Sequence, residues 1–451
     1  MRKIKYSLLN TLLILLIISF CLPLVVSASD GQEPDEQIPC ENSSKAYAVY
    51  FYNVEKDSAL FSKNETNRIA PASTVKLMTA LLAFDNIRDK SEYITVTETM
   101  LDGASTNLMK LEVGEKIQAR ELLIGLVCAG YNDAANALAV YVSGSVEAFV
   151  ELMNQKALEL GMNNTEYVDP MGINDSAYTT AYDTMLVAKE FMRRQELLEM
   201  SSLPSYEIPR TNRSDARKIH NRNAMISNHT GSTHLNSHAV GMNAGMTGGG
   251  GYCVVTSAKK DGMTYICVVM GGSYDEETQT IYSYVVANEL INYAMSYLGY
   301  RTVISAGTQI CTLPIKAAHV KTKEVSIIVS DDVKVYLPYD YLESGLLKRT
   351  VICERNELTA PVNKGDKVGT VVISYGDEIV AMADMVVADD VARDNFMYAL
   401  ESVRTFVTGR TFIAFAICLA VLIFLYVFVY PRMKRSRRKK RRKRYNKHTY
   451  Y

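Results

Sequence analysis

The chain has 451 residues, 48% of them hydrophobic, and its 49 Lys and Arg balance its 49 Asp and Glu. That zero net charge hides an asymmetry, because every acid lies between two apolar terminal runs. Of the bases, 12 fall between Arg432 and Lys447 and three precede the first run. The stretch between the runs, about 380 residues, carries 34 bases against 49 acids, enough for two domains with real cores and too acidic to grip a polyanion such as nucleic acid.

In chain order, residues 1–28 read as a secretory signal. Arg2, Lys3 and Lys5 precede an apolar run over residues 8–26, and Val26-Ser27-Ala28 has the small-residue form of a cleavage site. An uncleaved anchor helix is the other reading of that run. Residues 29–45 are a polar, acidic linker. Residues 46–62 hold two apolar, aromatic-rich runs around Glu55-Lys56-Asp57-Ser58, the pattern of a hairpin.

Pro71-Ala72-Ser73-Thr74-Val75-Lys76 then opens a helical pattern that continues through Leu77, Ala80, Leu81 and Phe84. Ser73 and Lys76 are three apart and share one helix face, about one turn from each other. There an amine kept partly neutral by burial or neighbouring charge can take the hydroxyl proton. This is the S-x-x-K arrangement of acyl-enzyme serine hydrolases that act on peptidoglycan or β-lactams. A helix N-cap is the plain alternative for Ser73.

Residues 121–142 are expected as a second strongly apolar helix and residues 179–192 as a third. Two β-rich runs over residues 252–270 meet at Lys259-Lys260-Asp261-Gly262. Strands, helices and strands again fit a sheet with helices packed on it. From about Arg301 the texture changes to short alternating stretches at 325–329, 333–337, 368–374 and 379–387, a small all-β module. Phe396, Leu400, Val403 and Val407 keep helical spacing, and residues 391–410 are expected as an amphipathic stalk. Residues 411–430 carry no charge and would span about 30 Å as a helix, a bilayer's hydrocarbon thickness. The basic tail, 431–451, follows at once. By the positive-inside rule it is cytoplasmic, in contact with anionic lipid, and the chain is a single-pass type I membrane protein with its folded part outside.

Six cysteines fall outside the two apolar ends: Cys40, Cys128, Cys253, Cys267, Cys311 and Cys353. Most sit in apolar runs and are expected as buried thiols. Cys253 and Cys267, on either side of the Lys-Lys-Asp-Gly turn, are the pair a hairpin could bring together. His229, His234 and His238 lie in a polar stretch without interleaved Cys or carboxylate, so a loop is expected there and no metal. Gly248 to Gly251 lack a following Lys-Ser or Lys-Thr and read as a turn, not a phosphate loop.

Taken together, the chain resembles the D-alanyl-D-alanine carboxypeptidases of the low-molecular-mass penicillin-binding protein group. The resemblance covers about residues 46–404. Its segments, in order, are Ile69 through Ala80, Leu111-Glu112-Val113-Gly114-Glu115, Asn132-Asp133-Ala134-Ala135, Asp169-Pro170-Met171-Gly172-Ile173, Asn221-Arg222-Asn223 and Gly251 through Val255. Ala360 to Asp366 is similar to that family's C-terminal β domain. The resemblance implies an α/β (α+β) transpeptidase/β-lactamase-like domain over 46–298 and a β domain over 301–390. It also implies a cofactor-free serine enzyme that trims the terminal D-alanine from peptidoglycan stem peptides and is acylated by β-lactams.

Two of the family's three motifs are altered. Where the second is S-x-N, this chain has Gly130-Tyr131-Asn132. Where the third is K-T-G, it has Asn243-Ala244-Gly245. The implied roles are Ser73 as nucleophile, Lys76 as its base, and Asn132 as the group holding the substrate amide and the lysine. Asn243, Ala244 and Gly245 would form the edge strand that binds the peptide. The Ser73 N–H and one just beyond Gly245 would make the oxyanion hole. Gly130 removes a hydroxyl that would relay a proton, and Asn243 replaces an ammonium by a neutral amide. A slow carboxypeptidase is therefore expected, with a catalytically weak, membrane-anchored peptidoglycan-binding or scaffold protein as the alternative. A β-lactamase also carries Ser-x-x-Lys, but the second domain and the anchor argue against it.

Overall fold

The computed structural model describes residues 38–229 and 233–435. The expected signal, the first part of the linker and nearly all of the basic tail lie outside the described residues.

A hairpin of β1 (Ala48–Asn53) and β2 (Ser58–Lys63) begins the fold. Ala72–Thr74, a 3₁₀ turn, runs into α1 (Val75–Asn86), which is buried over its first nine residues. β3 (Tyr93–Thr95) and, beyond the short α2 (Glu98–Leu101), β4 (Lys116–Gln118) pair with each other. The apolar run expected as one helix over 121–142 is two. α3 (Ala119–Ile124) widens into a π turn, Gly125–Ala129, the chain reverses at Gly130 and Tyr131, and α4 (Asn132–Ser143) begins anew. Gly130 at φ +69° is the cause, since the left-handed region ends a helix.

α5 (Val146–Glu159) and α6 (Ala181–Met192) start on side-chain caps, Ser145 Oγ accepting from Ala148 N and Thr180 Oγ1 from Asp183 N. α7 (Gln195–Ser201) and the small hairpin β5 (Ser205–Ile208)–β6 (Arg217–His220) follow. The chain then returns to the main sheet as β7 (Ala239–Thr247), β8 (Gly251–Lys260) and β9 (Met263–Gly272).

The five-stranded antiparallel sheet runs β2-β1-β9-β8-β7, which leaves β7 at an edge. Ala48, Tyr50 and Tyr52 alternate onto the face shared with Val255, Ile266, Val268 and the core helices; Leu81, Leu122, Leu138 and Val187 fill that core. α4 is buried along most of its length because Ala134, Ala135, Ala137 and Ala139 let its neighbours approach closely. Truncating a fully buried side chain such as Leu138 costs about 2–5 kcal/mol. Beyond β9, the two-residue strands β10 (Tyr274–Asp275) and β11 (Thr280–Ile281) lead into α8 (Tyr282–Tyr297).

A second compact unit starts at Tyr297. β12 (Leu298–Ile304) pairs with β15 (Val333–Pro338). β13 (Gln309–Lys316), β14 (Glu324–Val329), β16 (Leu347–Cys353), β17 (Leu358–Thr359), β18 (Lys367–Tyr375) and β19 (Glu378–Val387) form a sheet in the order β16-β18-β19-β14-β13-β17. Its core is separate and almost wholly aliphatic, with Val325, Ile327, Val329, Val371, Ile373 and Val387 at alternate positions. Asp394 caps α9 (Asn395–Thr408), on which Phe396, Leu400, Val403 and Val407 are exposed. α10 (Arg410–Phe424) then continues as helix to Arg435, long and apolar enough to cross a membrane by length and composition.

Among the described residues the thiols are free. Cys128, Cys253 and Cys267 are buried as expected, but Cys40, Cys311 and Cys353 are only partly so. Cys253 and Cys267 do not face each other, because the hairpin turns tightly at Asp261-Gly262 and pairs Lys260 with Met263, which sets Thr256 opposite Cys267. His229 stacks on His220, with ring centroids 3.7 Å apart, and His234 lies against Tyr284.

Candidate active site

The sequence motifs converge on the N-terminus of α1. Ala72 takes φ +49°, uncommon for a residue with a Cβ, and turns Ser73 toward β7. Ser73 is 6% exposed and Lys76 1%. Lys76 Nζ lies 3.4 Å from Ser73 Oγ and donates to the Met171 carbonyl. Burial, and then the Arg222 guanidinium, bring the Lys76 ammonium down to about 7, against the opposing pull of Asp169. An amine in that range is neutral in a large fraction of molecules at neutral pH, and its lone pair can accept the serine proton.

The lysine's carbonyl partner is itself held. Asp169 Oδ1 accepts from Met171 N (2.6 Å) and Gly172 N (2.5 Å), and Oδ2 from Asn174 N (3.1 Å). Thr79 Oγ1 donates to the Pro170 carbonyl (2.7 Å), tying the same loop to α1.

Asn132 begins α4, which packs against α1. Its Nδ2 donates to Thr106 O (2.6 Å) and Thr106 Oγ1 (3.1 Å), which fixes Oδ1 as the free end. That oxygen is buried and has no hydrogen-bond partner among the described residues. The next residue, Asp133, accepts from Met109 N (2.8 Å) and Leu111 N (3.1 Å) and so anchors the loop that carries Thr106.

β7 forms the facing wall. A Cβ on Gly245 would lie 2.3 Å from Ser73 Oγ, so strand and nucleophile can approach this closely only at a glycine. Asn243, two residues earlier, projects from the same side of the strand. It is 4% exposed, with Oδ1 buried and unpartnered among the described residues. Ala244 is buried between them in sequence and pairs with Val254 of β8. All seven site residues expected from the sequence are thus described, and the geometry ties Ser73 directly to Lys76 and Gly245.

Arg222 is the residue whose role the sequence concealed. Asn221 Nδ2 donates to Ser201 O and Leu203 O, both at 2.8 Å, and Asn223 Nδ2 donates to Gly241 O at 2.8 Å. Between these anchors the Arg222 N–H donates to Cys128 O (2.9 Å). Its side chain passes Gly130, with Cδ 3.4 Å from where a Cβ there would sit. β6, which leads into this segment, is fastened by the two-pronged Arg217–Glu115 pair at 2.8 and 2.9 Å. In the sequence it stands as one Arg between two turn-forming Asn, a segment that carries the family resemblance but assigns the arginine no role.

Against known proteins, residues 34–274 match the family of D-alanyl-D-alanine carboxypeptidases, and residues 299–393 match the C-terminal domain of penicillin-binding protein 5. The chain is 28% identical over 400 residues to the D-alanyl-D-alanine carboxypeptidase DacF of Bacillus subtilis (strain 168), covering 87% of this chain and 97% of that protein. It is 26% identical over 369 residues to DacC of Escherichia coli (strain K12), covering 78% and 86%. Among solved structures, the carboxypeptidase DacD of Francisella tularensis superposes with a TM-score of 0.55 at 24% identity, over 81% of this chain and 98% of that one, a likeness of fold. With the S-x-x-K corner, the edge strand and the C-terminal β unit all in place, the chain belongs to the D-alanyl-D-alanine carboxypeptidase family of serine enzymes.

Proposed function

We propose that this protein removes the terminal D-alanine from peptidoglycan stem peptides through an acyl-enzyme on Ser73, and that it does so slowly. One observation carries the reading: a buried lysine, brought to about 7, sits 3.4 Å from a buried serine at a helix start. Lys76 takes the Ser73 proton as Oγ bonds to the penultimate D-alanine carbonyl. The C–N bond then breaks, the departing amine takes up a proton, and water later cleaves the ester. β-Lactams acylate the same oxygen and act as covalent inhibitors.

The peptide lies along β7. Asn132 holds its amide, Asn243, Ala244 and Gly245 present the strand, and the Ser73 N–H with one beyond Gly245 receives the oxyanion. Gly130 supplies no hydroxyl to return the proton to the amine, and Asn243 and Ala244 supply neither charge nor hydroxyl to the terminal carboxylate. Arg222 is then the permanent cation beside the pocket. The same three substitutions favour a second reading, a weak homologue that binds peptidoglycan or scaffolds partners.

The uncharged helix and the basic run that follows support a type I anchor, with the tail in the cytoplasm near anionic lipid and the site outside. A fluorescent penicillin that cannot cross membranes, applied to intact protoplasts making the full chain, tests both parts. Wild type should acquire a covalent label and Ser73→Ala none. Equal labelling of both would move the nucleophile elsewhere. Labelling only after lysis would reverse the topology, and none under either condition would leave the binding reading.

A further inference from the structure

β7 ends at Thr247, and three glycines, Gly248 to Gly250, join it to β8, which opens on a fourth, Gly251. Such a turn has the greatest backbone freedom available and no side chain of its own to settle where the strand stops. A carboxylate from another part of the chain does so. Asp175 Oδ1 accepts from Thr247 Oγ1 at 2.6 Å, and Oδ2 accepts from Gly249 N at 2.8 Å. Thr247 Oγ1 in turn accepts from Gly250 N at 3.0 Å. The fit is close, since a Cβ on Gly249 would stand 2.8 Å from Asp175 Cγ, and one on Gly250 2.7 Å from the Ala70 carbonyl.

Asp175 closes the loop that Asp169 opens. Within those seven residues the Met171 carbonyl receives Lys76 Nζ. Gly172 lies against the Ala72 carbonyl, which a Cβ would meet at 1.9 Å. One loop therefore touches the base, the turn before the nucleophile, and the end of the strand facing that nucleophile.

We propose that Asp175 is a positioning residue for acyl transfer: by gripping Thr247 and the Gly249 N–H it sets the distance and register of β7 against Ser73. The inference rests on the acyl-enzyme reading above. It matters more in this chain than where the strand carries an ammonium and a hydroxyl. With Asn243 and Ala244 in their place, the strand's own backbone does most of the holding, and a misplacement of about 1 Å can cost up to ~10²-fold in rate.

Asp175 is exposed, so its replacement opens no cavity and should move the melting temperature little. It is not among the groups that shift Lys76, so the pH midpoint of acylation should stay fixed. The test is the second-order acylation rate of the full-length protein with fluorescent penicillin, read with the labelling endpoint and the thermal midpoint.

Asp175→Ala and Thr247→Val should each slow acylation about tenfold or more while the endpoint remains complete. The double variant should be no slower than the worse single, because both act through one contact. Asp175→Asn and Thr247→Ser, which keep part of the contact, should recover most of the rate. Asp175→Ala within twofold of wild type would overturn the proposal. So would a loss of rate that tracks a fall in endpoint and melting temperature, or a moved pH midpoint. Failure of wild type itself to label would instead remove the acyl-enzyme reading, and this inference with it.

Discussion

The two walls of the site are furnished unequally. On the α1 side stand the groups the proposed mechanism needs to raise a nucleophile: a buried serine, a buried lysine and a carbonyl to orient the amine, with the Arg222 guanidinium lowering that amine's proton affinity. Across from it, on the β7 strand where the proposed peptide would lie, Asn243 and Ala244 offer neither ammonium nor hydroxyl, and Gly130, beside Arg222, offers no hydroxyl either. On the proposed mechanism, the contrast makes activating a nucleophile and receiving a substrate separable properties of this fold. The first depends on burial, which a core preserves. The second depends on a few side chains that can change without disturbing the sheet.

The largest test of that separation is on the intact wall. Lys76→Ala should lower acylation by ~10³-fold or more, within the range for losing a positioned base. In wild type the rate should climb as pH rises through about 7 and then level, since only the neutral amine accepts the proton. The sign for stability follows from the same shift. Lys76 is held below its unfolded value of ~10.4, so the unfolded chain binds the extra proton between about 7 and that value. Stability therefore rises with pH across that window. Lys76→Met should flatten that rise and increase the melting temperature by a few degrees while abolishing turnover. An acylation rate flat from pH 6 to pH 9 would break the comparison at its stronger end.

A smaller effect is expected from refurnishing the other wall. Asn243→Lys with Ala244→Thr should speed acylation by ~10-fold to ~10²-fold, given what single donors contribute in such sites. A second cation near Lys76 should also draw its pH midpoint lower, and the gain should shrink at high salt to the extent that water reaches the pocket. No gain, in a variant that folds, would show that the wall is suited to its substrate as it stands.

Least is expected from Gly130→Ser. At φ +69° any residue with a Cβ pays roughly 1–2 kcal/mol, and the new Cβ would come 3.4 Å from Arg222 Cδ. The restored relay and the strain should nearly cancel, leaving kcat on a diacyl-D-Ala-D-Ala peptide within about threefold of wild type and KM unchanged. A gain exceeding that of the β7 double variant would identify proton return to the leaving amine as the slow event.

Much of this could be read from the residues. The hairpin around Glu55 to Ser58, the Ser73 corner, the long β8–β9 hairpin and the alternating strands after Arg301 all carry local signals, and the structure has each of them. The misses share one cause, which is that hydrophobic periodicity does not carry their signal. Gly130 sits in an apolar run whose periodicity continues on both sides, so the break between α3 and α4 is hidden until its positive φ is seen. β16 is an edge strand with little burial, and without a buried face it shows no alternation. Arg222 and Asp175 are polar residues in polar stretches. Their importance comes from what the fold sets against them, Lys76 and Gly130 for one, Thr247 and Gly249 for the other.

Lys76 shows what it means to make a base by burial. A histidine in water already has a proton affinity near neutrality, whereas this amine reaches a useful affinity only while water is kept from it. Opening the 169–175 loop would rehydrate the ammonium and return it toward its ordinary strongly basic state. Because Met171 is part of the core and Gly172 and Asp175 touch the Ala72 turn and β7, it would loosen the surroundings of Ser73 as well. On the proposed mechanism, catalytic competence is therefore a local property, set by whether one short loop stays closed over Lys76.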